Sequence, residues 1–290
     1  GYHCGAIAED EDGYIWIGTN AGLNRFNGYH FTVYKSDVYD TTSVTSNRIN
    51  NLLTDHSGKL WVGGNGICTF DRKHNYFIQV PLLLKNGDLE RKFECLFIYE
   101  DSRKNIWAGT NGLGLLKYNP TKGVFQTLDA ISSMPASQLS QLPPSVSSMT
   151  EDHDGSLWLT SYTHLYHTDA ALRQLTVYKN MLTENGGTRP FQAIKAFTHA
   201  TDSNLLWITS WGSGLVLFDK VTQSFTSYRF ESHLPSNISN IIFSFFRKSK
   251  NELWLGTNIG IIPFNETERT FGSVIRDDFT HNSIVNSLIR

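Results

Sequence analysis

Short apolar and aromatic runs alternate with turn-forming residues along nearly the whole chain. Runs such as "YIWIGT" and "HFTVYK" are rich in aromatic and β-branched residues, and Gly, Asn and Asp separate one run from the next. Gly and Asn accept the positive φ of tight turns, and Asp or Asn at a strand end closes an Asx-turn. No stretch shows convincing helical periodicity. The pattern therefore predicts short β-strands joined by tight turns.

The same pattern returns six times, each time around a tryptophan between two apolar residues. Each repeat reads as four strands: an apolar run, the Trp strand, a third strand and a closing strand. The third strand is Gly-led and ends in an aromatic residue followed by Asn or Asp in every repeat but the fourth, which lacks the Gly and ends in Thr-Asp. The tryptophans lie 45 to 51 residues apart. Repeats of this length with four strands are typical of β-propeller blades, whose sheets bury both faces against their neighbours. The blade anchors are Trp16, Trp61, Trp107, Trp158, Trp207 and Trp254.

The repeat count predicts an all-β fold, a β-propeller of four-stranded blades with six complete repeats plus the first strand of a seventh. The tail "SIVNSLIR" aligns on "NRINNLLT" of the second repeat and places Val285 where Ile49 stands. We expect residues 1–290 to form a single domain, truncated from a seven-bladed ring. A six-bladed ring with an extra strand is the alternative.

Charge and hydropathy exclude two classes of partner. The formal net charge is −2, without the basic excess that nucleic acid or an acidic membrane surface requires. The longest apolar run, "PLLLK", is far shorter than the ~20 residues of a membrane helix. We therefore expect this segment to bind neither nucleic acid nor membrane.

Acidic residues recur at one register before the predicted turns. Because successive members lie one repeat apart, we expect them to close turns rather than to form a catalytic pair. Glu94 is the only acid early in an innermost strand, and one carboxylate is too few for a hydrolase. The sequence therefore predicts no catalytic centre. The acids are Glu9, Asp10, Asp55, Glu100, Asp101, Glu151 and Asp152.

Cysteines and histidines give no metal-binding spacing, so we expect neither a metal nor a cofactor. Cys4 and Cys95 stand where other repeats carry aliphatic residues, which favours core packing, although a Cys pair bridging two blades stays open. Cys68 lies in the strand after the Trp of the second repeat. We expect His164 and His167 to be polar surface residues rather than metal ligands.

The motifs resemble a known family. "EDEDGYIWIGTNAGLNRFNGYHFTVYK", "EDSRKNIWAGTNGLGLLKYN" and "ELWLGTNIGIIPFN" are similar to the two-component regulator propeller repeat. The resemblance implies the periplasmic sensor region of a hybrid two-component system from glycan-degrading gut bacteria. It further implies two consecutive propellers, a β-sandwich, a membrane helix, a histidine kinase and a response regulator, working as a homodimer. This chain would be the N-terminal propeller.

Long connections between repeats predict one recognition face. The turn between the second and third strands emerges on that face, where Tyr162 and Trp211 replace the Asn of other repeats. Exposed aromatic rings could stack on a sugar, with Arg or Asn supplying hydrogen bonds. The alternative is that the aromatics cover their own loops and that the Asn residues only form turns. The candidate ligand-binding residues are Trp211, Tyr162, Arg189, Arg48, Asn20 and Asn111.

Three function classes remain open from the sequence. The resemblance of the repeat motifs to the two-component regulator family favours a sensor that detects oligosaccharides and controls glycan-utilisation genes. An interaction scaffold that docks a protein is the first alternative. A lyase resembling the streptogramin-type propellers is the second, and it requires a cluster of His and Glu at the channel mouth that the sequence does not assemble. Fold alone cannot choose among these classes.

Overall fold

A computed structural model describes residues 4–182, 188–190, 192–230 and 240–275. The chain divides into two compact units, residues 1–147 and 148–290. Among the described residues each unit holds three sheets that contain the four strands of one sequence repeat, paired antiparallel in the order first-second-third-fourth. We call these sheets blades one to six. The predicted all-β fold of four-stranded repeats is confirmed, whereas the single domain stays a prediction.

The first unit contains blades one to three. Its strands are β1 Cys4–Glu9, β2 Ile15–Thr19, β3 Gly22–Phe26, β4 Phe31–Tyr34, β5 Asn51–Thr54, β6 Leu60–Gly64, β7 Gly66–Asp71, β8 Tyr76–Val80, β9 Leu82–Leu83, β10 Leu89–Glu90, β11 Cys95–Glu100, β12 Ile106–Thr110, β13 Leu115–Asn119 and β14 Val124–Thr127. Two one-turn helices follow, α1 Leu128–Ile131 and α2 Ala136–Leu139.

The second unit contains blades four to six. Its strands are β15 Ser148–Glu151, β16 Leu157–Ser161, β17 His164–Thr168, β18 Leu175–Tyr178, β19 Asn180–Leu182, β20 Thr188–Pro190, β21 Ala193–Thr198, β22 Leu205–Ser210, β23 Leu215–Asp219, β24 Ser224–Tyr228, β25 Ile242–Ser249, β26 Glu252–Thr257, β27 Gly260–Asn265 and β28 Thr270–Phe271. Val285 and the expected strand of a seventh blade lie outside the described residues.

Each anchor tryptophan occupies the same place in the second strand of its blade, as the repeat predicts. Within each unit its ring packs on the aromatic residue that ends the third strand of the next blade. Such pairs add about 0.5–1.5 kcal/mol beyond the area they bury. One blade therefore completes the core of its neighbour, which is why the motif is repeated. The ring centroids lie 4.8 Å apart for Trp16–Phe70, 4.9 Å for Trp61–Tyr118, 5.6 Å for Trp158–Phe218 and 5.3 Å for Trp207–Phe264.

The indole N–H of each anchor donates a hydrogen bond to an acidic residue. In blades one to four the acceptor is the aspartate six residues earlier, whose other carboxylate oxygen accepts a backbone N–H in all four turns. The expected turn role of the aspartates is thus confirmed, and the indole contact is additional. The donor–acceptor distances are 2.7 Å for Trp16–Asp10, 2.7 Å for Trp61–Asp55, 2.8 Å for Trp107–Asp101 and 2.8 Å for Trp158–Asp152.

Blades five and six satisfy the indole differently. Thr201 and Lys248 stand six residues before their anchors. Trp207 donates instead to Glu266 Oε1 of blade six at 2.8 Å, and Trp254 donates to Glu252 Oε1 at 2.8 Å. A buried N–H needs an acceptor, but the chain position of that acceptor is free to change.

Connections between blades add elements that the sequence analysis did not predict. The β9–β10 hairpin joins the outer edge of blade three, where β9 pairs with β14 in parallel and makes a six-stranded sheet. A second hairpin, β19–β20, follows blade four. Helices α1 and α2 lie in the connection that leaves blade three. None of the described helices is long and apolar enough to span a membrane.

Two of the three cysteines are buried and unpaired. Cys68 and Cys95 are free thiols inside the first unit. Burial raises the pKa of the Cys68 thiol to about 12 and raises the pKa of Cys95 as well. The predicted core role is confirmed for Cys95, and the side chain of Cys4 lies outside the described residues.

Candidate recognition face

The turns between the second and third strands carry most of the candidate ligand-binding residues, as the repeat predicts. Each of these turn residues lies four residues after its anchor, in the short segment between the two strands. Blades one to three and blade six place Asn there, whereas blades four and five place an aromatic residue. The turn residues are Asn20, Asn65, Asn111, Tyr162, Trp211 and Asn258.

Backbone hydrogen bonds hold these turns against the connections between blades. A glycine at the start of the third strand donates its N–H to a carbonyl in the connection to the next blade. At Gly22 φ is +127°, and a Cβ there would lie 2.7 Å from the Tyr34 carbonyl oxygen, so only glycine fits without strain. The N–O distances are 2.7 Å for Gly22–Asn47, 2.7 Å for Gly66–Phe93, 2.7 Å for Gly114–Pro144 and 3.0 Å for Gly214–Asn240.

The side chain of Asn111 is engaged at both ends of its amide. Its Nδ2 donates to Glu94 Oε2 at 2.9 Å, and its Oδ1 accepts from Ser145 Oγ at 2.7 Å. Its backbone N–H also donates to the Glu94 carbonyl at 3.0 Å. Asn111 therefore fixes its turn, which favours the alternative that this Asn forms a turn and does not bind a ligand. The same contacts account for the position of Glu94.

Trp211 lies at the turn of blade five and is 49% exposed. Its ring meets Phe243 edge-on, with centroids 5.4 Å apart at 78°, and its backbone N–H donates to the Gln192 carbonyl at 2.9 Å. Its backbone also bridges to Ile241 at the entry to blade six. Trp211 is thus held on both sides while half of its side chain stays open to solvent.

Phe243 is a residue of this face that the sequence analysis missed. It lies at a break in the pairing between β25 and β26, where the register shifts between Ile242 and Ser244. An irregularity of this kind re-aims a side chain without changing the apolar pattern. The run "NIIFSFF" therefore gives no signal that one of its phenylalanines flanks Trp211.

The other candidates occupy separate places on the described surface. Tyr162 is 62% exposed at the turn of blade four. Asn20 is exposed at the turn of blade one, and Arg48 is exposed in the connection that enters blade two. The backbone of Arg189 belongs to β20, but its side chain lies outside the described residues.

A cleft of about 460 Å³ opens in the second unit, between blades four and five. Lys220 Nζ donates to Asp152 Oδ2 at 2.5 Å and to the Ser203 carbonyl at 2.6 Å. His167 stacks on Trp158 with centroids 4.2 Å apart. These polar groups engage each other, so the cleft is built chiefly to join the two blades.

His167 is half-buried, so its expected surface position is wrong. The cross-strand pairing of β16 with β17 places it directly opposite Trp158. Burial lowers the pKa of His167, and its Nε2 lies 2.9 Å from Ser156 Oγ. The described residues contain no group of three or more His, Cys, Asp or Glu that could hold a metal ion.

A protein-family model described as "Two component regulator propeller" matches residues 2–21 and 43–66. These two segments are similar to the two-component regulator propeller repeat. The matched segments hold the anchors of blades one and two, so the resemblance found in the motifs is confirmed. A curated relative, Histidine kinase P4 of Formosa agariphila, is 41% identical over 39 residues, which are 13% of this chain and 3% of that kinase.

Two solved structures from B. thetaiotaomicron share the fold over nearly the whole chain. The extracellular domain of the hybrid two component system BT3049 is 20% identical, covers 98% of this chain and 36% of that structure, and has a TM-score of 0.73. The corresponding domain of BT4673 is 19% identical, covers 99% and 38%, and has a TM-score of 0.71. The fold is therefore that of a β-propeller with six four-stranded blades, and the chain spans little more than a third of these structures.

Proposed function

We propose that this chain is part of the extracellular or periplasmic sensor region of a hybrid two-component receptor. The observation that carries the proposal is the match of the two-component regulator propeller model to blades one and two. The whole-chain likeness to extracellular domains of hybrid two component systems supports the same role. The remainder of the receptor would supply a membrane helix, a histidine kinase and a response regulator.

The proposed ligand is an oligosaccharide, and the proposed site is the face that bears Trp211 and Tyr162. Both rings are exposed, and the backbone that carries Trp211 is hydrogen-bonded on a rigid sheet. A fixed, half-exposed ring presents a flat apolar surface to a sugar at little cost in conformational entropy. Arg189 is the proposed hydrogen-bonding residue beside these rings. Arg48 and Asn20 are separate candidates on the first unit, where Asn111 would act by holding its turn.

Signalling would follow from a difference in ligand affinity between two states of a receptor homodimer. A ligand shifts such an equilibrium only as far as its affinities for the two states differ. The proposed output is kinase activity and hence expression of glycan-utilisation genes. We assign no catalytic role to this segment, because the carboxylates at the turns of blades one to four accept hydrogen bonds from indoles.

A seventh blade is part of the proposal. Its support is the alignment of "SIVNSLIR" on the innermost strand of blade two. A second support is Trp254, the anchor of blade six, which is half-buried although the other five anchors are fully buried. A following blade with an aromatic residue at the end of its third strand would cover Trp254 as Phe70 covers Trp16.

An interaction scaffold is the second candidate function. The pairing of exposed Trp211 with Phe243 favours it, because aromatic pairs at a surface also anchor protein partners. The two functions differ in their ligand: a soluble oligosaccharide binds the isolated sensor region in one case and a folded protein binds it in the other.

Calorimetry of the full sensor region against a panel of oligosaccharides tests the proposal. We expect one glycan class to bind, and Trp211→Ala to weaken that binding about tenfold or more, which is ~1.4 kcal/mol. Tyr29→Ala is the matched control, since it removes an exposed aromatic from a different turn and should leave the affinity unchanged. No binding to any glycan class would reject the oligosaccharide and leave the scaffold.

A further inference from the structure

The first strand of each blade carries one residue directly opposite the position two residues after the anchor tryptophan. In five blades this residue is neutral, whereas blade five places a lysine there. Blade five therefore departs from the repeat by one positive charge. The residues at this register are Ala6, Asn51, Phe97, Ser148, Lys195 and Ser244.

Side chains at this register face the following blade. Asn51 Nδ2 of blade two donates to the Leu96 carbonyl of blade three at 2.6 Å. Ser148 Oγ of blade four accepts the backbone N–H of Ala196 of blade five at 3.2 Å. Because Lys195 has the same place in blade five, its side chain is directed toward β25, the first strand of blade six.

The exposed aromatic pair of the recognition face lies on the same side of blade five as Lys195. Lys195 pairs with Thr209, and Trp211 follows two residues later on the same face, about 6.6 Å along the chain. Phe243, whose ring centroid is 5.4 Å from that of Trp211, stands at the register shift of β25. Leu96 stands at the matching shift of β11. The lysine and the two rings therefore border one place between blades five and six.

The ammonium of Lys195 has no counter-ion within the described part of the chain. No carboxylate there pairs with it and no oxygen accepts a hydrogen bond from it, whereas its backbone N–H donates to Thr209 Oγ1 at 3.1 Å. The residue is half-buried, and burial lowers the pKa of its ammonium without an acid to offset the effect. Enclosing an unpaired charge is unfavourable. The charge therefore destabilises the fold unless an anion binds to it.

We propose that Lys195 binds the anionic group, a carboxylate or a sulfate, of an acidic oligosaccharide that stacks on Trp211. The anion supplies the missing counter-charge through a charge-assisted hydrogen bond, and the sugar ring lies against the exposed face of the indole. A neutral sugar leaves the ammonium unpaired and is disfavoured for that reason. The inference rests on the proposed oligosaccharide ligand and names its chemical class.

Calorimetry of the full sensor region with paired acidic and neutral probes tests the proposal. The carboxylate pair is oligogalacturonides and their methyl esters, and the sulfate pair is sulfated galactan oligosaccharides and their desulfated forms. We expect one acidic probe to bind at least about tenfold more tightly than its neutral form. Lys195→Met keeps the side-chain length, removes the charge and should abolish that preference. Lys250→Met, the matched control, removes an exposed lysine from the β25–β26 turn and should retain it.

The outcomes separate this inference from the proposed function. Equal affinity for acidic and neutral forms, or binding of neutral glycans alone, rejects the acidic ligand and leaves the oligosaccharide sensor. A preference that survives in Lys195→Met places the anion elsewhere and also overturns the inference. Binding of no glycan at all rejects the oligosaccharide on which both proposals rest. The pair of probes that shows the preference identifies the anion as a carboxylate or a sulfate.

The melting temperature of the 1–290 chain gives a second readout that needs no ligand. Because Lys195→Met removes a half-buried charge without a partner, it should raise the melting temperature by about 2 °C or leave it unchanged. Lys250→Met should leave it unchanged. A fall of several degrees in Lys195→Met alone would show that the lysine stabilises the fold by itself, which would overturn the inference.

Discussion

Blades one to four and blades five and six satisfy the same buried indole by different means. In the first group an aspartate of the same blade, six residues before the tryptophan, accepts the N–H. In blade five the acceptor is Glu266, which lies 59 residues away along the chain in the next blade. The comparison teaches that the repeat preserves a physical requirement, an acceptor for a buried N–H, and not a particular residue.

Glu266 differs from most of the aspartates in where the groups that depend on it lie, because they come from other strands and not from its own turn. Besides Trp207, its carboxylate accepts the Ala200 N–H at 3.2 Å and pairs with the guanidinium of Arg247. His199 Nε2 lies 3.7 Å from the same carboxylate. The glutamate is buried. It therefore links blade five to blade six, as Asp152 links blade four to Lys220 of blade five, whereas Asp10, Asp55 and Asp101 serve mainly their own turns.

Glu266→Ala is the change with the largest expected effect. It leaves a buried indole N–H without its acceptor and a partly buried guanidinium without its counter-ion. We expect a loss of about 3 kcal/mol in the free energy of unfolding, measured by urea denaturation of the 1–290 chain. Glu266→Gln, which can still accept from Trp207, should lose less. If both variants are as stable as the wild type, the link between blades five and six contributes nothing.

Asp55→Ala is expected to cost less, about 2 kcal/mol, because only the indole of Trp61 and the turn of blade two lose their acceptor. Asp55 Oδ1 accepts from the backbone N–H groups of Ser57 and Lys59, and Oδ2 accepts from Trp61. Urea denaturation again provides the measurement. A cost larger than that of Glu266→Ala would reverse the proposed order of the two groups.

Asp55 also predicts a dependence of stability on pH. Burial raises the pKa of its carboxyl, but the hydrogen bonds from Ser57, Trp61 and Lys59 together outweigh burial and lower it. A carboxyl whose pKa is lower in the folded state stabilises the fold above its unfolded pKa of about 3.9, and that contribution is lost as the pH falls. The stability difference between wild type and Asp55→Ala should therefore shrink below about pH 4. A difference that stays constant from pH 6 to pH 3 would contradict this.

Much of this arrangement follows from spacing that is visible in the sequence. The anchors, the four-strand blades and the turn positions of Tyr162 and Trp211 are all found by aligning the repeats. The sequence predicts a turn role for these aspartates. Their constant distance of six residues from the tryptophan also brings them within hydrogen-bond distance of its indole N–H. Local periodicity is sufficient here because each blade repeats the same strand register.

Other features depend on contacts that no local pattern encodes. Glu266 lies in blade six and takes the place of the aspartate that blade five lacks. The sequence around Trp207 therefore does not show which residue accepts the hydrogen bond from its indole. Phe243 reaches Trp211 because of a register shift in β25. The β9–β10 hairpin joins blade three through a parallel pairing of two residues, which is too short to leave an alternating pattern.

Glu252→Ala should have the smallest effect of the three acceptor variants. Glu252 accepts from Trp254 at 2.8 Å, but both residues are only half-buried, so water can replace the lost acceptor. We expect the urea midpoint of the 1–290 chain to change less than in either Asp55→Ala or Glu266→Ala. If a seventh blade covers Trp254 in the full-length protein, the same substitution should become more costly there, because a covered indole has no access to water. An equal, small effect in both proteins would mean that nothing covers blade six, and the proposed seventh blade would then be wrong.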